Sequence, residues 1–230
     1  MPEIIPAIMP KTFDDLQYAV EDIVGVTAFV QIDIMDGNFV TGKTWPYGDE
    51  EFFQTFVTEE NTLPEWQSIQ YELDMMVSDP MSAVHDWVSC GIARVIMHTD
   101  AIVDLEKTVN EFNKLYRIVD NPAGVELVIA VPFDGSADII EKVKNDIDGV
   151  QVMGISPVGV QGSSFKDGTV DTVKAFSEAY STLPISVDGG VKKEHIVELT
   201  KAGATRLVMG SAIFDSDNPR AEIKLLRDSV

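Results

Sequence analysis

Apolar residues in this chain alternate between two patterns. Short, almost unbroken hydrophobic runs recur at Ile4 to Met9, Phe29 to Met35, Ile69 to Val77, Arg94 to His98, Glu126 to Val131, Gly149 to Ile155, Ile185 to Asp188 and Arg206 to Gly210. Stretches such as Val128-Ile129-Ala130-Val131 and Val150-Gln151-Val152-Met153 suit strands covered on both faces, as in a parallel sheet. Between the runs the spacing turns helical: Phe13, Leu16, Val20 and Ile23 sit three or four apart, as do Ile102, Leu105, Val109 and Phe112. Asn218 before Pro219 reads as an N-cap and first helical residue, and Gly203 sits where a helix would end. Eight strand–helix units with no linker or change of composition predict an α/β fold, one closed (β/α)8 TIM barrel over residues 1–230. An open doubly wound sheet usually has fewer strands and ranks behind it. Pro6 counts against the first strand, because it has no N–H to give a ladder; it is best tolerated near a strand end.

Charge narrows the partners. With 17 basic and 38 acidic residues the net charge is −21, so nucleic acid and anionic membranes would be repelled. The single cysteine, Cys90, excludes an internal disulfide framework and a cysteine-rich zinc site. The first residues, Met1-Pro2-Glu3, are not cationic and no apolar run approaches the length of a membrane span, which predicts a cytoplasmic protein.

In a barrel the working face lies at the strand C-termini. There, Gln31 and Asp33 alternate onto one side of strand two, Asp74 interrupts the apolar strand three, and Asp188 ends strand seven. A carboxylate in an apolar strand is costly unless it is paired or used, so Asp33, Asp74 and Asp188 are candidate functional acids. Asp36 and Asp100 fit a turn or cap instead. Of the three histidines, His85 and His195 fall on predicted helices and only His98 at a strand end, so a histidine-rich zinc site is not available. Glycine supplies the second feature: Gly159-Val160-Gln161-Gly162 after strand six, Gly189-Gly190 after strand seven, and Gly210-Ser211 after strand eight. Backbone N–H groups in such loops can approach an anion closely, and barrels of this kind hold phosphate there. At this net charge an anion site has to be built from neutral donors. The loop cations Lys43 and Lys166 read as solvated.

Taken in order, Asp33-Ile34-Met35-Asp36-Gly37-Asn38-Phe39-Val40, Met75-Met76-Val77 with Pro80, His98-Thr99-Asp100-Ala101, Gly162 to Phe165, Val187-Asp188-Gly189-Gly190-Val191 and Gly210-Ser211-Ala212-Ile213 resemble the ribulose-phosphate 3-epimerases over nearly the whole chain. The resemblance implies a barrel isomerase interconverting D-ribulose 5-phosphate and D-xylulose 5-phosphate. Asp33 and Asp188 would be the acid/base pair working on opposite faces of C3, because a single group returning its own proton regenerates the starting epimer. It also implies a partner that is a phosphorylated ketopentose, and self-association into a homo-oligomer. In the family two histidines and two aspartates hold a divalent metal, typically zinc. Here those histidine positions are Gln31 and Asp74, the serine usual at the end of strand one is Ala7, and the phosphate loop is one residue longer. A set made of the Gln31 carbonyl, Asp33, Asp74 and Asp188 favours Mg²⁺ or Mn²⁺ over zinc. Without any cation, at least one of three neighbouring carboxylates should hold a proton.

Other chemistries on this scaffold are less well served. No lysine sits in a strand end for a Schiff base. The Asp-x-Lys-x-x-Asp pattern of related decarboxylases has methionine in place of lysine in Asp74-Met75-Met76-Val77-Ser78-Asp79. An epimerase or isomerase for another phosphosugar, and a non-catalytic sugar-phosphate binding barrel, remain as alternatives. A purely structural barrel would leave the glycine pattern unexplained.

Overall fold

A computed structural model describes residues 1–117, 124–160 and 162–229. Eight parallel strands close into one barrel in sequence order: β1 (Glu3–Ile8), β2 (Phe29–Met35), β3 (Gln70–Met76), β4 (Arg94–His98), β5 (Glu126–Val131), β6 (Gly149–Met153), β7 (Ile185–Asp188) and β8 (Arg206–Met209). Helices α1 (Phe13–Ile23), α2 (Glu50–Val57), α3 (Pro80–Ser89), α4 (Leu105–Tyr116), α5 (Thr169–Ala179) and α6 (Ile196–Ala202) cover it, followed after β8 by α7 (Ser211–Phe214) and α8 (Pro219–Arg227).

Local chemistry explains most of the boundaries. Thr12 and Asp15 form a reciprocal capping box that starts α1. Asp79 caps α3 ahead of Pro80, and Asn218 accepts from the Ala221 N–H ahead of Pro219 at α8. Gly203, at φ +111°, ends α6.

Two expectations need correction. Ile102 lies outside α4, because the Asp104 side chain accepts from the Lys107 N–H and starts the helix at Leu105. The β5–β6 connection has no α-helix among the described residues; a 3₁₀ turn at Ala137–Ile140 stands in its place, and Ile140, Val143 and Ile147 cover the strands. Pro6 lies inside β1, as the first run placed it. It is accommodated because β1 pairs with β8 over Glu3 to Pro6 and with β2 only at Ala7 and Ile8, so Pro6 stands where pairing passes from one neighbour to the other.

The strand register sorts the barrel interior into levels. Near the strand N-termini Arg94 of β4 pairs with Glu72 of β3 and, at 2.6 Å, with Glu126 of β5. Above it come Ile5, Ala7, Val208, Ile96, Val128 and Ala130 with the amides of Gln31 and Gln151. At the C-terminal end lie Asp33, which is in register with Asp74, then His98, Met153 and Asp188. The interior is therefore ionic at one end, apolar with two buried amides through the middle, and acidic at the mouth.

Candidate functional site

The three acids expected at the mouth do meet there. Asp33, Asp74 and Asp188 are all buried, and one oxygen from each lies within 4.8 Å of the other two. The ends of β2 and its following loop are pinned locally: the Thr44 hydroxyl donates to the Asp33 carbonyl at 3.0 Å and accepts from the Met35 N–H at 2.8 Å. Asp36 is a structural tie. Its carboxylate accepts from the Asn38, Phe39 and Ser78 N–H groups and the Ser78 hydroxyl, joining the loops after β2 and β3. Burial alone would raise its pKa, but these donors hold it well below the usual carboxylate range.

Among the three acids the charges are not independent. Burial, then the negative charge of Asp74, pushes the Asp188 carboxyl up to about 8, against partial relief from Gln31 and His98. Burial raises Asp33 as well, reinforced by Asp188 and Asp74 and opposed by a hydrogen bond from Gln31. Burial and mutual repulsion thus oppose ionisation of both acids at once.

One side chain departs from the sequence expectation, and a second joins the site beyond it. Gln31 turns its amide nitrogen, not its carbonyl, into the site: Nε2 donates to Asp33 Oδ1 at 2.8 Å and to Asp188 Oδ2 at 2.9 Å, while Oε1 is buried without a partner. His98, a lone histidine at a strand end, joins the site through an acid: its Nε2 lies 2.6 Å from Asp74 Oδ1, both groups being buried. Burial would lower the pKa of this imidazole, but Asp74 beside it more than offsets that and raises it. Asp74 Oδ2 is left buried and unpartnered.

This donor chemistry fits a hard divalent cation. The three carboxylates can supply its oxygens, and the free Oδ2 of Asp74 is a buried acceptor that lacks any donor. The strand-two imidazole of a zinc site is absent, and His98 is engaged with Asp74 instead of being free to ligate.

The cavity over the acids extends to the loops after β6, β7 and β8. Its walls include Gly159, Val160, Gly162, Ser163, Gly189, Gly190, Gly210 and Ser211, together with Ala7, Met9, Met76 and Met153. Gln161 lies outside the described residues. Gly210 precedes α7, and the four glycines 159, 162, 189 and 190 have positive φ, from +68° to +99°. At Gly190 a Cβ would come within 2.8 Å of the Phe165 nitrogen and 2.9 Å of the Ser163 carbonyl oxygen, so this position needs glycine both for its conformation and for close packing under the β6 loop. Gly190→Val is expected to push that loop outward, raising KM for a phosphorylated substrate about tenfold or more with little change in kcat. Steady-state kinetics checks this, and an unchanged KM would remove Gly190 from the binding surface.

Sequence reasoning missed two further residues. Lys192 lines the cavity two positions after Gly190, and no apolar period or motif marked it. Gly154 lets β6 and β7 approach, since a Cβ there would lie 2.3 Å from the Gly189 carbonyl oxygen. His195, expected to be solvated or packed, stacks on Phe165 at 4.2 Å between ring centres.

The chain is 27% identical over 234 residues to the ribulose-phosphate 3-epimerase of Eremothecium gossypii, covering 100% of this chain and 93% of that protein. It is 26% identical over 235 residues to the ribulose-phosphate 3-epimerase of Bacillus subtilis, covering 100% of both. Among solved structures, KGPDC from Streptococcus mutans superposes with a TM-score of 0.72 at 12% identity, covering 99% of this chain and 96% of that one. A 3-hexulose-6-phosphate synthase gives 0.68 at 18% identity, covering 99% of each chain. At such low identity these two structures speak for the barrel alone. The model of the ribulose-phosphate 3 epimerase family matches residues 3–214, so the chain belongs to that family of isomerases.

Proposed function

We propose that this protein epimerises C3 of a ketopentose 5-phosphate, interconverting D-ribulose 5-phosphate and D-xylulose 5-phosphate, with Asp33 and Asp188 as the two acid/base groups. The observation that carries this reading is the meeting of those two carboxyls, from β2 and β7, in one cavity whose far end is the glycine-rich surface after β6 to β8. The phosphate would be held by backbone N–H groups around Gly159 to Gly162, Gly189, Gly190, Gly210 and Ser211. That would leave C3 of the sugar over the acids.

One aspartate, ionised, takes the proton from C3, which is acidified by the C2 ketone. The other, protonated, delivers a proton to the opposite face, and the roles exchange in the reverse direction. Burial and mutual repulsion support this division of labour, because they oppose ionisation of both at once. Asp74, oriented by His98, completes a carboxylate set that could hold a divalent cation. When bound, such a cation would supply positive charge beside the negative charge developing on the substrate oxygens, and the oxygen-rich donor set favours Mg²⁺ or Mn²⁺ over Zn²⁺. Ala7 removes a hydroxyl from the sugar-facing end of β1, so part of the contact with substrate here is apolar. A cytoplasmic location and self-association belong to the same reading. No helix among the described residues is long and apolar enough to cross a membrane.

The test is an epimerase assay on D-ribulose 5-phosphate after EDTA treatment, then with Mg²⁺, Mn²⁺ or Zn²⁺ added back. Turnover is expected, stimulated most by Mg²⁺ or Mn²⁺. Absence of turnover under every condition would overturn the reaction, and activity indifferent to chelation and add-back would remove the cation from it.

A further inference from the structure

We infer that Gln31 is a positioning residue that clamps the two acids across the barrel, holding Asp33 and Asp188 at a fixed separation through both protons of one side-chain amide. The inference rests on the assignment of Asp33 and Asp188 as the acid/base pair and asks what keeps them in place.

β2 and β7 are not neighbours in the barrel; β1 and β8 stand between them, so no backbone ladder sets the distance between their terminal carboxylates. Gln31 is fully buried, inward-facing and in register with Ala7 of β1. Its Nε2 lies 2.8 Å from Asp33 Oδ1, two residues along its own strand, and 2.9 Å from Asp188 Oδ2, 157 residues away. An amide nitrogen carries two protons in fixed directions, so each carboxylate receives one. On the intervening strands, Ala7 of β1 and Val208 of β8 belong to one small apolar cluster with Ile5.

The clamp works as a pure donor. Gln31 Oε1 is buried and accepts nothing, so the amide is held in the site through its nitrogen alone. Gln151 of β6 adds a weaker contact to the same Asp188 oxygen at 3.4 Å, and its own carbonyl is likewise unpartnered. Two neutral amides thus converge on one acid in a protein of net charge −21. Buried acceptors without donors are costly, and they are tolerated where the nitrogen is the atom the site requires.

Gln31→Met separates the clamp from mere filling, because methionine has nearly the same length and volume but no donor. Wild type, Gln31→Met and Gln31→Glu are assayed with D-ribulose 5-phosphate and with D-xylulose 5-phosphate, and their Tm values are compared. For Gln31→Met, kcat is expected to fall on the order of 10- to 100-fold in both directions, since displacing a reacting group by about 1 Å costs that much. KM and Tm should stay near wild type. Gln31→Glu, the same shape with at most one proton to give, should also lose at least about tenfold in kcat. A Gln31→Met kcat within about threefold of wild type would overturn the clamp, as would a loss that appears only together with a collapsed Tm. If Gln31→Met does not fold, the Gln31→Glu result decides by the same threefold criterion. Inactivity of the wild-type protein itself would instead refute the acid/base assignment, so the two failures can be told apart.

Discussion

Asp188→Asn and Asp33→Asn are each expected to lower kcat by about 10²- to 10⁴-fold, the usual contribution of a positioned acid or base. The fold should survive both changes. Each side chain is held by the Gln31 amide, and an asparagine oxygen can still accept that hydrogen bond. The stereochemistry of the reaction makes the losses similar in size, because a two-sided proton transfer fails when either side is missing. Near wild-type turnover in one of the variants would show that the remaining acid serves both faces, and would end the two-acid mechanism.

The same pair makes stability depend on pH with a definite sign. Burial and the charge of Asp74 push the Asp188 carboxyl up to about 8 in the fold, against an ordinary 3.8. Between these values the folded chain keeps a proton that the unfolded chain has already released, so this group favours folding at low pH and its contribution fades as the pH rises through about 8. With EDTA present, the Tm of Asp188→Asn relative to wild type should therefore climb between pH 4 and pH 8, by on the order of 5 °C or more. Thermal melts across that range check it. A constant difference would show that Asp188 ionises normally in the fold.

Arg94→Met is expected to cost about 3–5 kcal/mol and to lower Tm by on the order of 10 °C. Arg94 lies at the opposite end of the barrel from the site, 4% exposed, between Glu72 and Glu126 and 4.7 Å from the Phe29 ring centre. Removing it leaves Glu72, 2% exposed, with its charge buried and its strongest partner gone. Arg206 reaches Glu126 at 3.7 Å, but Glu126 is already half-exposed and can be solvated. The double substitution Glu72→Leu with Arg94→Met should recover most of the loss, because replacing both members of a buried pair avoids the stranded charge. Chemical denaturation of the single and double variants measures this coupling. A single variant within about 1 kcal/mol of wild type would show that Glu72 is not left unpaired.

Much of this architecture was legible in the sequence, and the reasons are local. Strands buried on both faces must be apolar at nearly every position, so Val128 to Val131 and Val150 to Met153 announced themselves without any partner being known. Caps are equally local: Asn218-Pro219 and Gly203 act on backbone groups a few residues away. The β5–β6 connection was harder to read because Ile140, Val143 and Ile147 keep a nearly helical spacing while the backbone forms only a 3₁₀ turn. The ionic end of the barrel is set by tertiary pairing: Arg94 and Glu126 open their strands like ordinary end charges, and nothing along the chain joins them to Glu72 inside β3.

At the site the division is the same. By itself the sequence determined which strand ends carry carboxylates and which loops are free of Cβ atoms, because alternation and glycine act on a residue and its immediate neighbours. Only the closed barrel decided that Gln31 would present nitrogen to Asp188, that His98 would take one oxygen of Asp74 24 residues away, and that Gly190 would lie under Ser163 and Phe165. Such pairings depend on which side chains face each other across the barrel interior. That is set when the last strand meets the first, and no stretch of the chain read alone contains it.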